Sequence, residues 1–160
     1  GYGQWLLAGL LCCLAGDILL MPDSDNFFLA GLIAFLCGHL FYAVAFLQLP
    51  LNASGMALTA APAILLLILA LRWLLPHVER NMKLPVTIYT VVITSMLVCA
   101  GNSAGHGAAL LIISGAWGFA ISDLAVARRQ FVKASRWNGL WGTPLYFLSQ
   151  MLLASSIALV

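Results

Sequence analysis

Six long apolar runs, separated by short polar stretches, form the hydrophobicity pattern of this chain. A bilayer hydrocarbon core of about 30 Å requires about 20 mostly apolar residues in an α-helix, and each run is close to that length. Pro22, Pro50 and Pro76 follow the first three runs, where a proline is a typical helix stop signal. The pattern predicts an all-α fold, a polytopic transmembrane helix bundle. Its six predicted helices span Gln4–Met21, Phe27–Leu49, Gly55–Leu75, Leu84–Ala100, Gly107–Ala127 and Leu140–Val160.

The composition excludes a water-soluble domain. Hydrophobic residues make up 63% of the chain and charged residues 8%, whereas soluble domains average about 25% charged residues. The net charge of +2 is too small to indicate binding to nucleic acid. The four cysteines lie in apolar runs without metal-ligand spacing, which favours buried apolar thiols. We therefore expect residues 1–160 to form one transmembrane domain, in which the short loops make consecutive helices antiparallel neighbours.

The basic residues identify the two sides of the membrane. All seven Lys and Arg side chains lie at two predicted loops, one after the third helix and one after the fifth. Basic loops stay in the cytoplasm, so both ends of the chain are expected on the opposite side, and the short loops favour a bacterial inner membrane over the endoplasmic reticulum. The second loop, expected at residues 128–136, offers Arg128 and Arg129 to lipid phosphates.

Two aspartates lie inside apolar runs. An aspartate at the centre of a membrane helix costs about 2.5–3.5 kcal/mol on insertion scales, so Asp17 and Asp123 are the main candidates for function. The other three acidic residues fall in predicted loops. At a rise of 1.5 Å per residue, both aspartates lie roughly 6–8 Å below the basic side. This common depth predicts one shared cavity that opens to that side.

Other polar side chains reach a similar depth. Tyr89 lies early in the fourth helix, and Tyr146 and Gln150 lie four residues apart on one face of the sixth. His39 and Tyr42 are expected deeper, near the middle of the second helix. A purely structural role, bonded to a neighbour or to backbone, is the alternative for each of them and for the aspartates.

A pair of buried carboxyl groups suits acid/base catalysis. An apolar site favours the neutral carboxylic acid, which donates a proton, while a better solvated partner stays ionised and accepts one. This pairing acts on acetals and enol ethers. The chain has no GxSxG, HExxH or glycine-rich phosphate motif. Only His39 of the three histidines lies within a helix, which disfavours a zinc site.

Four segments, in this order and spacing, resemble the YhhN family of membrane proteins, which includes lysoplasmalogenases. They are LAGLLCCLAGDILLM with Asp17, FLAGLIAFLCGHLFYAVAF with His39 and Tyr42, GAWGFAISDLAVARRQF with Ser122 and Asp123, and LWGTPLYFLSQMLLASSI with Tyr146 and Gln150. The resemblance covers most of the chain. It implies an eight-helix protein, of which this chain is expected to lack the first two helices.

The resemblance also implies a hydrolase of the vinyl ether bond of lysoplasmalogen, giving a fatty aldehyde and a glycerophosphoethanolamine or glycerophosphocholine. Asp17 and Asp123 would be catalytic, one as acid and one as base, and Ser122 and the basic loop favour Asp123 as the base. No metal, cofactor or covalent intermediate is required. The partners would be the lysophospholipid substrate and membrane lipids, and the oligomeric state stays open. The residues expected to bind and orient the substrate are His39, Tyr42, Tyr89, Ser122, Tyr146 and Gln150.

Two other function classes stay open from the residues alone. A non-enzymatic transporter or lipid-binding subunit would also use intramembrane aspartates, to relay protons or to bind a cation. The chain lacks the internal repeat that many transporters carry. The second is a zinc lipid amidase, which the scarcity of histidines disfavours.

Overall fold

The computed structural model describes all 160 residues, which form six long α-helices and no strand. All six are long and apolar enough to cross a membrane, which confirms the predicted polytopic helix bundle. Their bounds differ from the predicted ones by only a few residues at most ends. The helices are α1 Tyr2–Leu19, α2 Asp25–Phe46, α3 Ala53–Leu74, α4 Lys83–Ala100, α5 Ala109–Ala127 and α6 Arg136–Ser156.

The segment after α5 is helical, so the prediction of a loop over residues 128–136 is wrong for most of it. Arg128–Val132 forms a π-helix directly on the end of α5, and Arg136 is already the first residue of α6. A π-helix is rare and is often found at functional sites. Because α5 continues through this turn, Asp123 lies deeper below the basic end of the bundle than its distance from Ala127 indicated.

Glycines bring α1 and α2 into close contact. A Cβ at Gly38 would lie 2.8 Å from the Cys13 Sγ and 3.1 Å from the Gly9 carbonyl oxygen. A Cβ at Gly9 would lie 2.5 Å from the Tyr42 ring. Small residues at a helix interface let backbones approach closely, which drives helix association inside a membrane. This contact places α1, with Asp17, directly against α2, with His39.

The helix α3 packs on α4 and not appreciably on α2, so the prediction that all consecutive helices are neighbours is wrong here. The cause is a polar latch at the end of the bundle opposite the basic residues. The Asn52 side chain, at the start of α3, donates to the Ala104 carbonyl, and its backbone N–H donates to Asn102. A Cβ on Gly101 would lie 2.5 Å from the Gly55 carbonyl oxygen. The latch therefore attaches α3 to the end of α4.

The same latch closes that end of the bundle. Asn102 is buried, and its amide donates to the carbonyls of Phe46 and Leu49 at 3.0 and 3.3 Å. The Tyr2 hydroxyl meets the Ser156 hydroxyl at 2.6 Å, which joins the start of α1 to the end of α6. Polar groups at this end are thus satisfied by the protein itself. The basic end is held instead by a small apolar cluster around Leu74, Val78 and Val86.

We expect the α1–α2 contact to be sensitive to one methyl group. Gly38→Ala should lower the free energy of unfolding by about 1–3 kcal/mol, because the added Cβ overlaps atoms of α1. The measurement is the midpoint of thermal unfolding in detergent, monitored by circular dichroism. Gly139→Ala is the matched control, since a Cβ there meets nothing within 4 Å and alanine favours a helix. Equal midpoints for the two variants would contradict the close approach.

Candidate active site

A cavity of about 650 Å³ lies among the basic ends of the six helices. Of its 32 lining residues, 22 are hydrophobic. Asp17 from α1 and Asp123 from α5 both lie in its wall, so the predicted shared cavity is present. Its volume falls in the range of about 300–1,000 Å³ that is usual for a small-molecule site. An apolar cavity with a few polar groups suits a ligand that is mostly hydrocarbon.

Asp17 is held by a chain of hydrogen bonds that all point toward it. The Tyr146 hydroxyl donates to the Asp17 Oδ2 at 2.8 Å. The Gln150 amide donates to the Tyr146 oxygen at 3.0 Å, and the buried Tyr42 hydroxyl donates to Gln150 at 2.6 Å. Three helices, α1, α2 and α6, thus contribute to the setting of one carboxyl group. Such directed chains polarise each member in turn and fix the position of the last.

Asp123 is held by α4 and α2. The Tyr89 hydroxyl donates to the Asp123 Oδ2 at 2.9 Å. The Nε2 of the fully buried His39 lies 3.6 Å from the same oxygen, which is longer than a formed hydrogen bond. The Asp123 side chain keeps 16% exposure, toward the cavity.

A buried aromatic ring, Phe119, stands between the two carboxyl networks. Its centroid lies 4.6 Å from that of His39 and 5.2 Å from that of Tyr146, each in an edge contact. Edge contacts of this kind fix ring orientation. Phe119 precedes Asp123 by one helical turn, and it holds the histidine beside Asp123 and the tyrosine beside Asp17 in register.

The structure separates the predicted site residues into two groups. Asp17, Asp123, Tyr89, Ser122 and Tyr146 line the cavity. His39, Tyr42 and Gln150 are not among the lining residues, and they reach the carboxyl groups from behind the wall. Ser122 is buried, and its hydroxyl donates to the Phe119 carbonyl at 2.7 Å. That hydroxyl therefore does not support an ionised Asp123, contrary to the expectation from the sequence.

The π-helix contributes Arg129 and Phe131 to the cavity wall. Arg129 is the one Lys or Arg in the cavity wall. Arg128 donates to the Asn138 Oδ1 at 2.8 Å, and the Asn138 amide donates to the Lys133 carbonyl at 2.9 Å. This buried asparagine clamps both ends of the π-helix and so sets where Arg129 lies.

Sequence reasoning missed Phe119 and Asn138. Phe119 was detectable, because a residue four before an intramembrane aspartate shares its helix face. Asn138 carried no such signal, since a polar residue near a predicted loop is ordinary. The structure contains no group of three or more His, Cys, Asp or Glu side chains placed to hold a metal ion.

Comparison with known proteins gives a consistent result. A model of the YhhN family matches residues 1–157. The chain is 35% identical to the lysoplasmalogenase TMEM86B of Mus musculus and 32% identical to that of Homo sapiens, over 98% of its own length in both cases. It is 32% identical to a lysoplasmalogenase of Mycobacterium tuberculosis over 81% of its length. The matches cover 65%, 64% and 51% of these relatives, so the chain spans less than two thirds of each. No solved structure matches significantly.

We expect the Asn138 clamp to order the cavity mouth. Asn138→Ala should speed hydrogen exchange at the amides of residues 128–133, because it removes the bonds to Arg128 and to the Lys133 carbonyl. The measurement is hydrogen–deuterium exchange by mass spectrometry of the protein in detergent. Arg136→Gln, which removes a nearby cation outside the clamp, is the control and should leave that exchange unchanged. Identical exchange in the Asn138 variant and the wild type would show that the clamp does not order this segment.

Proposed function

Since the chain belongs to the YhhN family, we propose that it forms the catalytic region of an integral membrane hydrolase that cleaves the vinyl ether bond of lysoplasmalogen. The products are a fatty aldehyde and a glycerophospho-head-group alcohol. The observation that carries the proposal is the pair of carboxyl groups, Asp17 and Asp123, in the wall of one apolar cavity. The relatives named lysoplasmalogenase support the choice of substrate.

The cavity chemistry suits a lipid with one chain and one phosphate. The apolar wall accommodates the alkenyl chain, and Arg129 at the mouth offers a cation to the phosphate. The vinyl ether bond joins these two parts of the molecule. A substrate bound in this orientation carries its reactive bond between the mouth and the apolar interior, at the level of the carboxyl groups.

The first step is protonation of carbon. Asp123, as the carboxylic acid, gives its proton to the second carbon of the alkenyl chain. The electron pair of the double bond forms the new C–H bond, and the ether oxygen stabilises the resulting oxocarbenium ion. Carbon protonation is intrinsically slow, so a positioned acid contributes about 10²–10⁴-fold to the rate.

The second step is attack by water. Asp17 accepts a proton from a water molecule while its oxygen attacks the oxocarbenium carbon, which gives a hemiacetal. The directed donors behind Asp17, through Tyr146, support an ionised carboxylate in this role. This assignment reverses the one favoured by the sequence, because the Ser122 hydroxyl is committed to Phe119 and does not donate to Asp123.

Collapse of the hemiacetal restores both groups. Asp17 returns its proton to the departing glycerol oxygen, and Asp123 takes the proton of the hemiacetal hydroxyl as the aldehyde forms. One water is consumed per turnover, and the acid and the base finish as they began. The residues buried behind the wall, His39, Tyr42 and Gln150, position the two carboxyl groups in this scheme and do not contact the lipid.

The paired carboxyl groups are tested with the full-length protein in detergent and lysoplasmenyl-phosphoethanolamine. Asp17→Asn and Asp123→Asn should each reduce aldehyde release by 10²-fold or more, because each removes one proton-transfer group. Asp23→Asn and Asp25→Asn, which alter an exposed residue of the α1–α2 turn and the exposed first residue of α2, are matched controls and should retain activity. In D₂O the trapped aldehyde should carry one deuterium on its second carbon.

Three results would contradict this proposal. Absence of aldehyde release by the wild type overturns the substrate assignment and favours a transporter or lipid-binding subunit. Full activity in both Asn variants overturns the carboxyl mechanism. Absence of deuterium on the second carbon overturns carbon protonation.

The head-group contact is tested at the cavity mouth. Arg129→Gln should raise KM about 10-fold with little change in kcat, because a charge-assisted hydrogen bond to phosphate contributes about 1.5–3 kcal/mol. The assay compares the lysophospholipid with a 1-alkenylglycerol, which lacks phosphate and should show no such change. Arg80→Gln, which removes a cation outside the cavity wall, is the control. An equal rise in KM for both substrates would contradict a contact between Arg129 and the phosphate.

A further inference from the structure

The tautomer of His39 follows from its hydrogen bond to the backbone. The His39 Nδ1 lies 2.6 Å from the Phe35 carbonyl oxygen, and a carbonyl oxygen only accepts hydrogen bonds. Nδ1 therefore carries a proton and donates. In the neutral ring the other nitrogen, Nε2, then carries a lone pair and must accept.

That lone pair is buried and has no partner. His39 is fully buried, and its Nε2 is the one buried side-chain nitrogen or oxygen in the chain without a hydrogen bond. Native proteins rarely leave such an atom unsatisfied, so each case requires an explanation. The Asp123 Oδ2, at 3.6 Å, already accepts from the Tyr89 hydroxyl. Two acceptors that face each other in an apolar interior repel unless one of them carries a proton.

We propose that His39 is the positioning residue of the catalytic acid: its Nε2 and the Asp123 carboxyl group share a single proton, which Asp123 delivers to substrate carbon. The inference deepens the proposed function and rests on it for the delivery step. The shared proton satisfies Nε2 and keeps Asp123 in its acidic form between turnovers. His39 touches no substrate, because it lies behind the cavity wall.

The exchange of this proton is balanced over one turnover. At rest the carboxyl O–H points toward Nε2 across 3.6 Å, and a small approach of the two side chains completes the hydrogen bond. During protonation that proton leaves through Asp123, the O–H bond breaks, and the C–H bond forms from the alkene electron pair. The hemiacetal hydroxyl later returns one proton to Asp123, and the hydrogen bond to Nε2 forms again. The neighbouring Phe119 and Tyr89 rings, with centroids 4.6 and 5.4 Å from that of His39, hold the imidazole for this contact.

The test begins with a measurement that needs no substrate. Infrared spectra of the full-length protein should show a protonated carboxyl C=O band that disappears in Asp123→Asn. In His39→Phe the band should shift to higher frequency, because the acid loses its acceptor. His77→Phe is the matched control, since His77 makes the same Nδ1 contact to a carbonyl one turn earlier, Trp73, but lies outside the cavity wall. It should leave the band unchanged.

Kinetics then separate positioning from general loss of structure. His39→Phe should lower kcat by about 10²-fold with KM unchanged within about twofold, because the lipid contacts stay intact. His39→Gln, which keeps an acceptor oxygen, should recover part of that loss. A purely structural histidine would instead change the thermal midpoint and the amount of active protein, with kcat per active site unchanged.

The proton-sharing pair and the proposed function are tested separately by these experiments. One outcome is that the wild type shows the Asp123-dependent band, and His39→Phe the shift, while the wild type releases no aldehyde. That result supports the proton-sharing pair and overturns the proposed function and proton delivery to this substrate. If no band depends on Asp123, or if His39→Phe leaves that band in place, the inference about His39 is overturned whatever the activity.

Discussion

The structure depends on one electrostatic constraint, the burial of two carboxyl groups among apolar helices. Each carboxyl group is costly there unless a partner satisfies it, and each receives a tyrosine hydroxyl from another helix. Tyr146 of α6 reaches Asp17 of α1, and Tyr89 of α4 reaches Asp123 of α5. These two bonds join α6 to α1 and α4 to α5. The chemistry of the site and the assembly of the bundle are thus parts of the same set of contacts.

The six-helix architecture could be predicted from the sequence, because membrane helices are recognised by their length and hydropathy. Charge pattern and helix depth also sufficed to place Asp17 and Asp123 in one cavity. The partners of each aspartate did not follow, since hydropathy says nothing about which helix faces which. The prediction that α3 packs on α2 was wrong for the same reason. The position of α3 depends on a few hydrogen bonds of Asn52, which hydropathy does not reveal. The π-helix was missed because its basic residues have the composition of an ordinary loop.

The two halves of the bundle are built differently. At the latch end, amide and hydroxyl side chains bond to backbone carbonyls and leave little polar surface unsatisfied. At the basic end the cavity lies among the six helices, and Arg129 is the one Lys or Arg in its mostly apolar wall. The two carboxyl groups line this cavity and are held by tyrosines of neighbouring helices.

The position of the cavity among the basic ends of the helices also bears on which lipids can reach it. Under the proposed function, the lysophospholipid enters from the side of the membrane where Arg129 lies, and the aldehyde formed in the cavity leaves on that side. Substrate supply and product removal then both take place in one leaflet. Lipid in the other leaflet reaches the protein only after it crosses the bilayer. The rate at which lipids cross the bilayer therefore sets a ceiling on what such a protein can process, however fast its carboxyl groups exchange protons.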